Sequence, residues 1–343
     1  MNRRRFIGTL GAGLGVVRVG RVPAARLRDH FVERWSWAMG QPVHVMAFAT
    51  SEAEGLDACS AALAELRRIE GRLSLFDDAS DLCELNRHAG RGAMRVDRDL
   101  LAVLRLAGAF RHASGGCFDA AVEPLMRVWG FHRPRTREPA PAEIAEAREA
   151  VATAVVELAG EAARLPNSHT QLDLGGIGVG YGIDRALAVL AARGIRRAFV
   201  DVSGDCGALG APPGEPGWRV GVADPTRPGR IVAATHLRDA ALATSANTMS
   251  VVRFGRSVRG HVINPATGWP AHALVQATVV ARMAVAADAF STGMLMSGRE
   301  PLGALQVITV ARAAPAPAPA PVRGRVAAGP PSTSRWTAPG KSR

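Results

Sequence analysis

Residues 172–184 read Leu-Asp-Leu-Gly-Gly-Ile-Gly-Val-Gly-Tyr-Gly-Ile-Asp, with glycine at 175, 176, 178, 180 and 182 and an aspartate near each end. A dinucleotide fold would need G-x-G-x-x-G after a strand, and a P-loop would need G-x-x-x-x-G-K-[ST]. Neither register can be found, because the glycines alternate and no lysine follows. With both nucleotide templates gone, the stretch reads as a tight turn into a helix, where glycine tolerates backbone that other residues resist. Asp173 is expected to end a strand-like segment. Asp184 is expected to start a helix running to Gly194, with backbone N–H groups at its N-terminus suited to an anion.

Outward from this stretch, the pattern mixes helices and strands. Residues 42–50, 197–204, 217–225, 233–237, 261–265 and 275–281 alternate as strands. Residues 56–76, 99–116, 185–194 and 287–298 carry helical spacing, and Gly115-Gly116 and Gly194 act as stops. There is no strict βαβ rhythm, so the expected class is α+β, with one large domain over 36–310.

Composition narrows the function classes. The chain has 343 residues, 48% of them apolar, and a net charge of +12. Residues 1–35 carry eight Arg against two acids, and 299–343 carry seven basic residues against one. The stretch 36–298 is left neutral, 27 basic against 27 acidic, so nucleic acid is not the expected partner. Cys59, Cys83, Cys117 and Cys206 form no C-x-x-C pair, which argues against a zinc ribbon or a redox pair.

The two ends read differently from the middle. Arg3-Arg4-Arg5-Phe6-Ile7, a short apolar run to Val17 and Val22-Pro23-Ala24 resemble a twin-arginine export signal. The run is too short to span a bilayer. Residues 1–30 are therefore expected to be a leader and the protein periplasmic or exported; a plain basic leader on a cytoplasmic protein is the alternative. Residues 313–343 are Pro/Ala-rich and expected to be disordered.

A second group of chemistry-bearing residues follows. His261 precedes a Pro-x-x-Gly turn, and Asp288 and Thr292 stand four apart on one face of a helix. Oxygen donors so placed suit Mg²⁺, which favours carboxylates together with substrate phosphates.

Taken in order, these segments resemble a known family. They include AMGQPVHV (38–45), LSLFDDASDLCELNR (73–87), SGGCFDAAVEPLMRVWGF (114–131), LDLGGIGVGYGIDRA (172–186) and VDVSGDCGALG (200–210). WRVGVADP (218–225), ATSANT (243–248), GHVINPATG (260–268) and ADAFSTGMLMSG (287–298) complete the series. The chain resembles the ApbE family of FAD:protein FMN transferases over residues 38–298.

The resemblance implies an ApbE-like fold and a Mg²⁺-dependent transfer of FMN from FAD to a Thr or Ser hydroxyl of an acceptor flavoprotein, with release of AMP. The acceptor would carry a D-x-x-[ST]-G-A-[ST] motif, and an exported enzyme of this kind would work at or near the membrane face. The resemblance also implies site roles. Met39 and Phe76 would line a ring pocket; Cys117, Phe118, Asp119 and Asp173 would bind FAD; Val179 would stand beside it. Gly176, through its carbonyl, and Asp288 and Thr292 would hold Mg²⁺, with His261 near the pyrophosphate as the proton acceptor.

The chain also departs from the family pattern. Val179 replaces a lysine, Phe76 a tyrosine, Asn264 an aspartate, Ser203 a glycine and Gln41 a small polar residue, and Ala246-Asn247 alters S-G-[DN]. Arg185 and Arg259 are candidates to restore the lost charge. Two other readings stay open on these departures: an FAD carrier or scavenger without transfer, and an FAD pyrophosphatase.

Overall fold

The computed structural model describes residues 29–311, apart from 249, 272 and 273. Both the leader signal at 3–24 and the Pro/Ala tail at 313–343 lie outside the described residues. The first described element is β1 (His30–Ala38), which turns tightly into β2 (Gln41–Ala49) through Met39 and Gly40, both at positive φ. Strand β1 therefore extends on both sides of the expected boundary at 36.

The remaining elements run as follows. First come α1 (Glu52–Leu73), α2 (Asp81–Arg87), β3 (Met94–Arg95), α3 (Arg98–Ala113), a single 3-10 turn (Ala120–Val122), α4 (Glu123–Trp129) and α5 (Pro141–Ala152). Two short strands follow, β4 (Glu157–Ala159) and β5 (Ala162–Arg164), and then α6 (Gly178–Ala192). Seven strands come next: β6 (Arg197–Val202), β7 (Asp205–Leu209), β8 (Trp218–Ala223), β9 (Ile231–Leu237), β10 (Ala240–Ala246), β11 (Val251–Phe254) and β12 (Ser257–Gly260). The series closes with β13 (Leu274–Ala281), α7 (Ala284–Ser297) and β14 (Gln306–Ala311).

Seven strands form one antiparallel sheet in the order β1-β2-β6-β7-β10-β13-β14. Residues of β2 alternate between its two faces, and both faces are covered, so the strand reads as an almost unbroken apolar run. Val43, Val45 and Ala47 join a core with Ala62, Leu66, Ile183 and Leu187 from α1 and α6. Met46 and Phe48 point the other way, into a core built on Trp218, Val220 and Leu237 of the β8–β9 hairpin. The expected α+β class holds, with helices on one face and a hairpin on the other.

A third core places the site. Ile69 of α1, Leu82 and Leu85 of α2 and Leu100 and Leu104 of α3 enclose Leu172, Leu174 and Ile177. The quoted stretch is thus anchored by its apolar residues, which leaves Asp173 and Gly175 facing outward. Asp173 belongs to an extended loop and not to a strand, since no neighbouring strand offers it a ladder; its N–H donates to the carbonyl of Ala120 at 2.7 Å.

The expected helix start at Asp184 is also corrected. Helix α6 begins at Gly178, with three glycines in its first five residues. Gly180 is required by close packing against α7: a Cβ there would fall on the carbonyl oxygen of Ala284 and 2.8 Å from the Cβ of Asp288. Asp184 therefore caps a different helix from the one expected. Its carboxylate accepts from the N–H groups of Ala284 (2.8 Å) and Val285 (2.9 Å), the free donors at the start of α7.

Residues 261–265, expected as a strand, form a turn with one isolated bridge between Ile263 and Pro270. Asn264 causes it. Its side-chain oxygen accepts from Ala266 (2.9 Å) and Thr267 (3.2 Å), and its carbonyl accepts from Gly268 (2.8 Å).

Candidate active site

A cavity of about 390 Å³ opens where five segments meet: the loops before α2, around Asp119, after α4 and before α6, and the 261–265 turn. The β6–β7 turn, the end of β10 and the inner face of α7 close it. Its volume falls within the usual range of about 300–1,000 Å³ for small-molecule sites. Ten of the eleven sequence candidates line it: Phe76, Cys117, Phe118, Asp119, Asp173, Gly176, Val179, His261, Asp288 and Thr292. Met39 does not. It sits at the β1–β2 turn with its thioether near Gly182 and packs into the two cores flanking α6.

Helix α7 presents Asp288 and Thr292 on the face expected from their spacing. Asp288 is buried and accepts from the N–H of Gly180 at 2.9 Å. Burial, opposed by that hydrogen bond, pushes its carboxyl well above the usual carboxylate range. Thr292 lies against Gly176, whose missing side chain leaves room: a Cβ there would stand 3.2 Å from Thr292 Oγ1. Ser245 Oγ lies 3.1 Å from Thr292 Oγ1 and 2.8 Å from Ser291 Oγ.

One carboxylate in the lining was not foreseen. Asp205 opens β7 inside the lining, and its carboxylate accepts from the N–H of Thr244 at 2.9 Å. Burial, with the nearby charge of Asp288, raises its carboxyl as well. A buried carboxyl and a half-buried one beside a hydroxyl form a hard-oxygen donor set, which suits Mg²⁺. Among the described residues, no cluster of three His, Cys, Asp or Glu is present to hold a metal by side chains alone. Any cation here would depend on oxygens of other kinds, such as the Thr292 hydroxyl, the Gly176 carbonyl or a substrate phosphate.

Two histidines face the cavity. His261 follows β12, donates its backbone N–H to the carbonyl of Ser250 (3.1 Å), and meets the Phe131 ring edge-on at 6.4 Å. Its Nδ1 is buried without a partner. Burial lowers its pKa, keeping the imidazole neutral and able to accept a proton. Asn247 steadies the segment: its side-chain oxygen accepts from Val262 N–H at 3.1 Å, and its amide donates to Ala271 at 3.1 Å.

The other histidine is His132, in the loop after α4. Its Nε2 lies 3.2 Å from Asp173 Oδ2, its Nδ1 lies 3.6 Å from Glu123 Oε1, and its ring meets Phe76 edge-on at 5.6 Å. The run Phe131-His132-Arg133 directly after Trp129-Gly130 was the sequence signal available for it, visible only once α4 is seen to end at the cavity.

The remaining candidates have defined settings. Asp119 caps the 3-10 turn through the N–H of Ala121 (2.9 Å) and accepts from Arg111 (2.7 Å). Phe118 is buried against Gly176, whereas Phe76 is 80% exposed at the rim, a ring left free to stack. Val179 packs partly into the core beside α6. Ser203, where the family pattern has glycine, holds φ at +52° on the cavity wall, the left-handed region glycine occupies freely. Neither arginine proposed as replacement charge reaches the lining. Arg185 pairs with Glu65 (3.2 Å) and Arg259 with Glu138 (2.6 Å).

Comparison with known proteins agrees with this arrangement. A family model described as the ApbE family matches residues 39–310. A Treponema pallidum protein named FAD:protein FMN transferase is 32% identical over 257 residues, 70% of this chain and 71% of that protein. A Rhodobacter capsulatus protein of the same name is 30% identical over 299 residues, 85% of this chain and 56% of that protein. Among solved structures, the ApbE protein of Thermotoga maritima superposes with a TM-score of 0.75 at 26% identity, covering 82% of this chain and 94% of its own. The flavin transferase ApbE of Vibrio cholerae shares the fold, with a TM-score of 0.68 over 78% of this chain and 87% of its own. With the family model spanning all but the ends of the described residues and the candidate residues gathered around one cavity, the chain belongs to the ApbE family.

Proposed function

We propose that this protein is a flavin transferase that moves the FMN part of FAD onto a Thr or Ser hydroxyl of an acceptor flavoprotein, releasing AMP. The observation that carries this reading is the convergence of a neutral, half-buried histidine and an oxygen-donor set around the buried Asp288 on one cavity. The family relationship and the names of the relatives support flavin transfer in general.

The chemistry assigns each group a task. The acceptor hydroxyl attacks the phosphorus of the FMN half, the P–O bond to the AMP half breaks, and the hydroxyl proton passes to His261. A neutral imidazole suits this step, since a protonated one could not accept. Asp288, Thr292 and the Gly176 carbonyl would hold Mg²⁺, which when bound neutralises diphosphate charge and stabilises AMP as it leaves. Phe76 and Phe118 offer rings for the flavin or adenine, while Asp119 and Asp173 offer acceptors for its N–H and O–H groups. The main contribution of the fold is alignment of the two reacting groups.

The acceptor is expected to carry a D-x-x-[ST]-G-A-[ST] motif. Export through the leader at 1–30 would place the reaction in the periplasm, at or near the membrane face. No helix among the described residues is long and apolar enough to cross a membrane.

The test is incubation with FAD, Mg²⁺ and an acceptor domain, followed by in-gel flavin fluorescence and nucleotide analysis. A fluorescent acceptor with AMP is the expected outcome. AMP with free FMN would make the protein a pyrophosphatase, and bound FAD with neither product would make it a carrier.

A further inference from the structure

The cavity has an electrostatic problem. Four carboxyl groups line it (Asp119, Asp173, Asp205 and Asp288), and among the described residues the lining includes no lysine or arginine. A diphosphate entering such a pocket meets Asp173 and, once they ionise, Asp205 and Asp288, while Asp119 is paired with Arg111 at 2.7 Å. The family lysine is replaced by Val179 here, and the arginine candidates are engaged elsewhere. Of the lining residues described, only the two histidines can carry positive charge, and His261 is held neutral by burial.

His132 is built differently. It lies between Asp173, on the loop before α6, and Glu123, at the start of α4, with its ring against Phe76 from the loop before α2. Glu123 is in turn paired with Arg127 at 2.7 Å, and the second oxygen of Asp173 accepts from the N–H of Gly175 at 2.7 Å. The chain Arg127–Glu123–His132–Asp173–Gly175 therefore alternates in charge from the surface of α4 to the glycine-rich loop. Two cations balance two carboxylates only when the imidazole is protonated.

We infer that His132 is a positioning residue of the flavin cavity: its imidazolium fixes the carboxylate of Asp173 and the ring of Phe76 for the ligand, and supplies the positive charge the rest of the described wall lacks. This role rests on the reading of the cavity as an FAD site. Burial alone would strip the ring of its proton, but pairing with Asp173 and the charge of Glu123 outweigh it and raise the His132 pKa to about 9. The titratable and charged groups facing the ring are Asp173 and Glu123, with Arg127 behind Glu123 and His261 within the field of Asp173.

The experiment measures FAD binding, with chelator present and no added metal, by wild type and His132→Gln between pH 6.5 and 9.5. Glutamine keeps a donor for Asp173 and loses the charge. At pH 7 the variant is expected to bind about tenfold more weakly, the size of one charge-assisted hydrogen bond. The ratio of the two dissociation constants is expected to hold to about pH 8 and then fall toward one, while titration of Asp205 and Asp288 moves both proteins alike. In the NMR spectrum, the imidazole signal missing from the variant should titrate well above 6.5. Equal affinities at pH 7, or the same pH dependence in both proteins, overturn the role while leaving the flavin reading intact. Where chelation abolishes wild-type binding, the same titration is run with saturating Mg²⁺; wild-type protein that binds no FAD then overturns the flavin reading and this role with it. A His132 signal titrating near 6.5 overturns the charge assignment whatever FAD does.

Discussion

Two segments of the cavity wall, residues 131–135 and 260–268, each bring one histidine to the same space, and their surroundings set opposite charge states. Nδ1 lacks a hydrogen-bond partner in both rings, but His261 has an aromatic neighbour, Phe131, and no carboxylate at ion-pair distance, so burial dominates and the ring is neutral. His132 is half-buried too, but two carboxylates stand at 3.2 and 3.6 Å, and pairing outweighs desolvation. Burial therefore does not decide the role of a histidine here. What decides it is whether a carboxylate shares the pocket, and environments that drive two titrating groups apart mark out a base and a cation.

The comparison can be broken most sharply at His261. His261→Ala is expected to lower the rate of flavin transfer by about 10²–10⁴-fold, the usual contribution of a general base, while FAD binding changes little. Single-turnover kinetics with parallel binding measurements check this. Next in size is the metal set: Asp288→Asn should remove the response of turnover to Mg²⁺, seen as a flat rate across a Mg²⁺ titration. A variant retaining the wild-type Mg²⁺ response would remove Asp288 from the metal site.

The pH profile sharpens the contrast. Because burial lowers the His261 pKa, the acid limb of transfer should fall below the ordinary imidazole value of 6.5. For His132 the sign is opposite. Its folded-state pKa is raised, so its contribution to stability is complete below 6.5, declines above it and is gone once the pH exceeds about 9. Denaturant melts of wild type and His132→Gln should therefore differ most below pH 6.5 and converge near pH 9.

The smallest effect expected on the site chemistry comes from Gly180→Ala. The added methyl group overlaps the Ala284 carbonyl, and crowding of this kind costs about 1–3 kcal/mol. The loss should appear as a lower denaturation midpoint, since Gly180 serves the α6–α7 contact.

Much of the fold was legible because its helices carry their own periodicity and its buried strands, as in residues 42–50 and 275–281, read as short apolar runs. What could not be read has particular physical causes. Strand β1 is an edge strand with most of its residues exposed, so His30–Ala38 shows no buried alternation, and it borders the basic leader. Strand β10, Ala-Ala-Leu-Ala-Thr-Ser-Ala, has little intrinsic strand preference and is held by its neighbours β7 and β13. Asp184 looked like a helix start because its partners, Ala284 and Val285, lie a hundred residues away.

The site follows the same logic. The candidate residues gathered at the cavity, Met39 excepted, whereas His132, one residue beyond a recognised segment, and Asp205, inside one, were missed because their significance lies in contacts across the chain. The glycines that first suggested a phosphate loop turn out, at Gly180, to make room for a second helix, and Asn264 builds the turn after His261.

The most direct test is the ratio of AMP released to flavin covalently attached to an acceptor protein at neutral pH with FAD and Mg²⁺. The account predicts one AMP per attached flavin for the wild type, and bound but unreacted FAD for His261→Ala. AMP released without attached flavin, or full transfer by His261→Ala, would contradict it.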